Sequence, residues 1–366
     1  MEMKTTFKIM MVLILVFATK GQAQKEISVP LDPKTLEIDA NEHRFEAYKG
    51  KTALYLKNGR AWLKDASFKN GTIEYDITFG NERNFAGVHF HIQDANNYEE
   101  YYLRPHQSGN PDAMQYSPVI NGNAAWQLYH GEGYWSPFQF TFGEWMHVKL
   151  VIRENKMQVY INDMENPILH VTDLKLGEKS GGLGFGSFLG GTHYANLTYQ
   201  NTDDVALVKS EENDHNKENR SGIISSYEVS EAFPSKKLGG ITVLKDLNIP
   251  VERKMKAEAS GILNLSKVSP VSEDTNTVLA KFNISSNSGD ETKRLEFGYS
   301  DKVKVFVNGK LVYGGDNSFR SRDYRYLGSM GFFDSIHLNL RKGNNEITFA
   351  VTERMGGWGV MARLSD

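Results

Sequence analysis

Apolar and polar residues alternate along most of this chain in short runs bounded by Gly, Asn and Asp. "GTIEYDITFG", "MHVKLVIREN" and "KMQVYINDME" do so in the first half, and "KRLEFGYSD", "KVKVFVNGKLVYGG" and "NNEITFAVTE" in the second. Alternation with period 2 marks strands with one buried face, and frequent turn residues between them mark an all-β sandwich or barrel. Helical periodicity is scarce. The 20 Phe and 17 Tyr suit half-buried pleated surfaces. The pattern predicts an all-β protein: two β-sandwich (jelly-roll) domains joined by a polar linker.

The linker is where the alternation stops. "NTDDVALVKSEENDHNKENRSG" is crowded with Asp, Glu, Asn and Lys and nearly empty of apolar residues after Val208. Such a segment buries too little surface to fold. It divides the chain into a first domain over 25–200, a linker over 201–225 and a second domain over 226–366. Ahead of them, "MEMKTTFKIMMVLILVFATKGQAQ" has Lys4 and Lys8, an apolar run from Ile9 to Ala18, and small residues at Gly21 and Ala23. That is the layout of a signal peptide over 1–23, and the apolar run is too short to span a bilayer. A secreted or periplasmic location is expected, with no membrane span.

Loss of residues 1–23 removes a net +2 and takes the formal charge from −3 to −5. A mildly acidic chain lacks the basic footprint that nucleic acid demands, so none is expected as a partner. There is no cysteine, which excludes disulfides, thiolate metal sites and a cysteine nucleophile. Sequons occur at Asn70, Asn196, Asn264 and Asn283.

The candidate chemistry concentrates in "AGVHFHIQDANNYEEYYLRPH". On a strand, His89 and His91 share one face while Val88, Phe90 and Ile92 take the other. Two imidazoles need further ligands to hold a metal, and Ala95 and Asn96 stand where a carboxylate ligand would be sought, so no metal is expected. Glu74 and Asp76 share a strand face, but Thr78 and Phe79 replace the third acid of a sandwich-glucanase pattern. A ligand-binding face fits better. Glu100, Tyr102 and Arg104 alternate with Tyr101 and Leu103, and Gln115, Trp126 and further aromatics follow. Sugars present apolar CH faces beside hydroxyls, which aromatic platforms and fixed polar groups match. The expected ligand contacts are His89, His91, Tyr102, Arg104, Gln115 and Trp126. The glycine run "SGGLGFGSFLGG" precedes no helix and reads as a glycine-interrupted strand, not a phosphate loop.

The succession "GTIEYDI", "FAGVHFHI", "YEEYYLRPHQSG", "DAMQYSPVINGNAAWQLY", "GEWMHVKLVI", "MQVYIND" and "GGLGFGSF" resembles the concanavalin A-like (laminin G-like) jelly rolls over about residues 27–200. Within them the likeness is to exported domains grouped with 3-keto-disaccharide hydrolases. The resemblance implies two antiparallel sheets, one concave, with His89, His91, Tyr102 and Arg104 lining the concave face and Trp126 on a neighbouring loop. A structural calcium is common in such sandwiches, although no acidic loop specifies one here. No other cofactor is expected.

Residues 226–366 resemble galactose-binding-like jelly rolls through "VKVFVNGKLVYGG" and "LNLRKGNNEITFAVTERMGGWGVMARL", which makes Asn308, Gly309 and Trp358 scaffold. "DNSFRSRDYRYLG" interleaves Arg320, Arg322 and Arg325 with aromatics. It reads either as a grip for acidic sugar or as a solvated hairpin. The expected function is an exported carbohydrate-binding protein associated with polysaccharide recognition or degradation, with a poly- or oligosaccharide as partner. Two alternatives stand beside it. One is a glycan hydrolase or lyase using His89 or His91 as base with Tyr102 or Glu100 as partner; the other is a laminin G-like protein-adhesion module.

Overall fold

The computed structural model describes residues 25–209, 221–289, 291–318 and 329–365. The signal peptide expected over 1–23, the centre of the linker and the Arg320–Arg325 stretch lie outside the described residues. Elsewhere the all-β expectation holds, and every long element is a strand.

The first half forms one antiparallel hydrogen-bonded sheet of thirteen strands. In chain order they are β1 (Ile27–Ser28), β2 (Leu36–Tyr48), β3 (Lys51–Leu63), β4 (Gly71–Phe79), β5 (Phe85–Asp94), β6 (Asn97–Leu103) and β7 (Met114–Ile120). β8 (Asn123–Ala124), β9 (Trp135–Ser136), β10 (Met146–Arg153), β11 (Lys156–Ile161), β12 (Leu169–Val171) and β13 (Gly182–Asn201) complete it. β13 belongs to two layers. Its residues 182–188 pair with β5, residues 192–201 pair with β4, and β3 runs along both parts. Register slips between Ser187 and Gly191 and between Ala195 and Thr198. Bulges bend and twist a strand, so these fold a single sheet over its own core. The front layer is β3, β13, β5, β6 and β7, and the back layer is β13, β4, β10, β11 and β12. Val88, Phe90, Tyr101, Leu103, Met114 and Tyr116 enter the core from the front. Ile73, Tyr75, Ile77, Val148 and Leu150 meet them from the back.

The second half is a sandwich of a six-stranded and a four-stranded sheet. Its strands are β14 (Ser226–Ser230), β15 (Val251–Lys256), β16 (Leu263–Asn264), β17 (Thr277–Ser286) and β18 (Glu291–Tyr299). β19 (Lys302–Val307), β20 (Lys310–Asp316), β21 (Asp334–Leu340), β22 (Gly343–Thr352) and β23 (Gly359–Ser365) follow. The first sheet runs β15-β14-β17-β22-β19-β20 and the second β16-β23-β18-β21. The β19–β20 turn is made by Asn308 and Gly309, with φ of +50° and +78°, the positive values that a tight hairpin needs. Trp358 is fully buried and its indole N–H donates to the Val351 carbonyl at 3.1 Å.

The two sandwiches touch through the 121–135 loop of the first. Ala125, Leu128 and Tyr129 pack on Ile262, Met330 and Met361. Lys175 Nζ lies 2.7 Å from Glu258 Oε2, the Tyr129 hydroxyl donates to Glu258 Oε1 at 2.5 Å, and Gln127 N–H donates to the Gly356 carbonyl at 2.7 Å. Among the described residues no helix is long and apolar enough to cross a membrane.

Candidate functional site

The front layer turns one face to the core; on its outer face Arg60, Trp62 and Glu100 are partly exposed, while His89, Tyr102, Arg104 and Gln115 are buried. Register across five strands builds two rows on that outer face. One runs Trp62, Gly184, His89, Glu100, Ser117, and the next runs Arg60, Gly186, Gly87, Tyr102, Gln115. Three glycines therefore form a floor in the middle of the face. A Cβ on Gly186 would stand 2.5 Å from His89 Nε2, and one on Gly184 would stand 2.4 Å from Trp62 Cδ1. The floor is glycine because these two rings lie across it.

His89 is held from three sides. The Trp62 indole N–H donates to His89 Nδ1 at 3.0 Å, which places the imidazole proton on Nε2. Tyr98 packs on the ring with centroids 4.6 Å apart, and the Arg60 guanidinium lies 4.4 Å over Trp62. Nε2 faces Glu100 Oε2 at 3.7 Å. Burial, helped by Arg60, lowers the His89 pKa to about 3. Burial raises Glu100 to about 8 against the pull of Arg104. Near neutral pH the pair is thus an uncharged imidazole beside a carboxylic acid, both on the outer face of the sheet.

Arg104 sits one strand step from Tyr102. Its Nη1 donates to the Asp112 carbonyl at 2.9 Å and its Nη2 to the Tyr102 hydroxyl at 3.0 Å and to Gln115 Oε1. The Tyr102 hydroxyl also donates to Gln115 Oε1, at 2.9 Å. Gln115 is fully buried, and its amide donates to the Trp126 and Tyr129 carbonyls at 2.9 and 2.6 Å. It is a strut that ties the loop to the sheet and fixes Arg104 and Tyr102. Of the six residues expected from sequence, His89, Tyr102 and Arg104 come together on one face. Gln115 stands behind them. Trp126 meets that cluster through its carbonyl, while its indole lies beside Gly356 of the second sandwich.

His91 requires a correction. It has φ of +49°, and register is broken between Gly182 and Gly184 on one side and between Phe90 and Asp94 on the other. A bulge shifts side-chain parity by one. The His91 ring is consequently buried, stacked on Phe68 at 6.0 Å, with its Nε2–H donating to the Lys69 carbonyl at 2.8 Å. It does not share the His89 face.

Sequence reading missed Trp62, Arg60, Tyr98, Phe85 and Phe188. Phe188 is 62% exposed and pairs with Phe85 at the end of the face. The turn that carries it is braced from below. Ser187 Oγ donates to the Gly190 carbonyl at 2.9 Å, Asn84 Nδ2 to Thr192 Oγ1 at 2.8 Å, and Leu189 N–H to Asn58 Oδ1 at 2.7 Å. The signal was present in "GLGFGSF", where even-numbered residues alternate with core-facing Leu183 and Phe185.

Glu74 and Asp76 face away from this site, on the back layer. His147 donates from Nδ1 to Asp76 at 2.8 Å and from Nε2 to Glu74 at 3.1 Å. These two hydrogen bonds raise its pKa to about 9. Burial acts to raise Asp76, but hydrogen bonds from His147, Lys51 and Asn196 outweigh it and bring it down to about 2. Both carboxylates are committed to this ion cluster. Among the described residues no group of three or more His, Cys, Asp or Glu is placed to hold a metal.

No family model and no curated protein matches the chain. Among solved structures it is similar to the carbohydrate-binding module CBM66 from Bacillus subtilis, at 15% identity, over 45% of this chain and 95% of the module, with a TM-score of 0.36. It is similar to a β-glucanase from Bacillus licheniformis at 9% identity, over 50% of this chain and 100% of the enzyme, with a TM-score of 0.35. A laminarinase from Flavobacterium sp. UMI-01 matches at 10% identity, over 50% of this chain and 100% of the enzyme, with a TM-score of 0.36.

Proposed function

We propose that the outer face of the front layer binds carbohydrate, and that the protein is an exported glycan-binding protein acting in polysaccharide recognition or breakdown. The observation that carries this reading is the two-row face: a glycine floor edged by Trp62, His89, Glu100, Arg60, Tyr102 and Arg104. A pyranose or furanose ring laid against the Trp62 ring that covers this floor, with Phe188 at the end of the face, meets flat apolar surface. Its hydroxyls meet donors and acceptors whose positions are already fixed, which lowers the ordering cost of binding. Export belongs to this reading through residues 1–23, as does kinship with the 3-keto-disaccharide hydrolase-like domains.

One observation favours a second reading, cleavage of a glycosidic bond. Glu100 keeps its proton near neutral pH, as a general acid must. His89 does not supply the matching base. Its Nδ1 lone pair accepts from Trp62 and its Nε2 bears the proton.

Affinity electrophoresis of the full chain through gels of neutral β-glucan, polygalacturonate and dextran sulfate tests the binding reading. Retardation in at least one gel is expected, reduced at least tenfold in apparent affinity in Trp62→Ala. Free migration in all three gels contradicts it.

A further inference from the structure

A groove on the second sandwich is built, like the first site, on the outer face of a sheet. The inner face of its six-stranded sheet packs the core through Val303, Val305, Phe349 and Val351. Alternate residues of the same strands therefore point outward. Register again sets them in rows: Gly314, Lys304, Ala350 in one, and Asp316, Lys302, Thr352 in the next. Residues 233–251 cover only part of this outer face, through Phe233, Leu238 and Leu247 packed on Leu279, Phe306 and Ala350. Lys304 Nζ ties that cover to the sheet by donating to the Leu238 carbonyl at 2.7 Å. A groove of about 820 Å³ remains beside the cover. That volume lies within the range of small-molecule sites.

Two features of the groove bear on the chemistry of its occupant, beside Glu273, Asp301, Glu353 and Arg354, which also line it. The floor is made of Gly314, Ala350 and Thr352, which leave room for a ring. Above Gly314 there is open space, with no atom within 4 Å of the position a Cβ would take. At the side, Lys302 Nζ and Asp316 Oδ2 stand 3.1 Å apart with both side chains half exposed. A cationic donor beside an anionic acceptor at this spacing matches two adjacent hydroxyls of a sugar ring, one accepting and one donating. An apolar ligand would strip water from both charges and return nothing.

We propose that this groove is a second saccharide site, bracketing a vicinal diol between Lys302 and Asp316. The proposal rests on the glycan reading of the first sandwich for its class of ligand. It places two sites on one chain, so that a polymer engaging both is held by linked binding events.

Gly314→Gln fills the groove at a position whose φ is not positive and whose Cβ meets nothing, so its thermal midpoint should match wild type. Lys302→Ala removes half of the bracket. The full chain and these variants are run beside Trp62→Ala in gels of neutral β-glucan, polygalacturonate and dextran sulfate. The proposal expects Gly314→Gln and Lys302→Ala each to lose part of the wild-type retardation, and Trp62→Ala to keep the remainder. If both groove variants migrate as wild type wherever wild type is retarded, the groove is not a site, and the loss in Trp62→Ala still supports the first. If Gly314→Gln is released while Trp62→Ala is not, the groove stands and the first site falls. Free migration of wild type in all three gels overturns both.

Discussion

Single residues on the outer face of the front layer set a pH dependence that a merely structural face would lack. Glu100 is protonated below its pKa of about 8 and ionised above it. As a carboxylic acid it donates a hydrogen bond to a sugar oxygen, and as a carboxylate beside buried His89 it only accepts. Affinity for a neutral glycan is therefore expected to fall several-fold between pH 7 and pH 9.5. Glu100→Gln should flatten that profile, and a titration of binding across this range checks it. On the back layer the His147 cluster behaves in the opposite sense to an ordinary exposed histidine. Its folded pKa is raised to about 9, so its stabilisation is fully present below the unfolded value near 6.5. It is lost as pH climbs through about 9. The Asp76 contribution, with a pKa depressed to about 2, is present above about pH 4 and lost toward pH 2. His147 is more than a third exposed, so solvent screening limits the cluster to roughly 1 kcal/mol. His147→Gln should lower the unfolding free energy from urea titration at pH 6 by that amount and leave it almost unchanged at pH 10.

At the scale of the strand, the sequence was informative where period 2 ran unbroken and silent where it did not. Glu100 and Tyr102 alternate on β6 with Arg104 directly after its end, and the structure sets them on one face. His89 and His91 also look alternate, yet the bulge at His91 carries the second ring into the core, and nothing in "HFHIQD" marks a positive φ at a histidine. Trp62 and Arg60 were missed for a different reason. They reach His89 and Tyr102 only through β13, more than a hundred residues further along the chain, and cross-strand rows depend on pairings that composition does not encode. The Lys302–Asp316 bracket on β19 and β20 was overlooked in the same way, although the hairpin between its strands was legible from Asn308–Gly309. The glycines of β13 were read as interruptions, and their packing gives them a purpose. Gly186→Ala drives a methyl to within 2.5 Å of His89 Nε2, where Trp62 prevents the ring from swinging aside. The expected loss is about 1–3 kcal/mol of stability, seen in the denaturant midpoint, together with loss of glycan retardation.

For the whole molecule, a charge-rich stretch of sequence stands between the last strand of the first sandwich, β13, and the first of the second, β14. What the sequence did not announce is that the two sandwiches meet. Lys175, with only 5% of its side chain exposed, is clasped by Glu258 and Asp173 and lies under Tyr129 and Tyr134. The loop that carries Tyr129 is the one Gln115 straps to Arg104. The first site is thereby braced by the same loop that docks the second sandwich. Glu258→Ala leaves Lys175 half paired and takes away the acceptor of the Tyr129 hydroxyl, which keeps only the bond from Asn264, at a cost of about 1–3 kcal/mol. Calorimetry is expected to show one transition for wild type dividing into two for the variant.

The account depends most on Trp62 lying under the ligand. The direct measurement is intrinsic fluorescence of the full chain, titrated with whichever polysaccharide retards it, for wild type and Trp62→Phe. A saturable change in wild-type emission that is absent from Trp62→Phe is the predicted result. An identical change in both proteins would place the glycan away from the His89–Glu100 face and contradict the central claim.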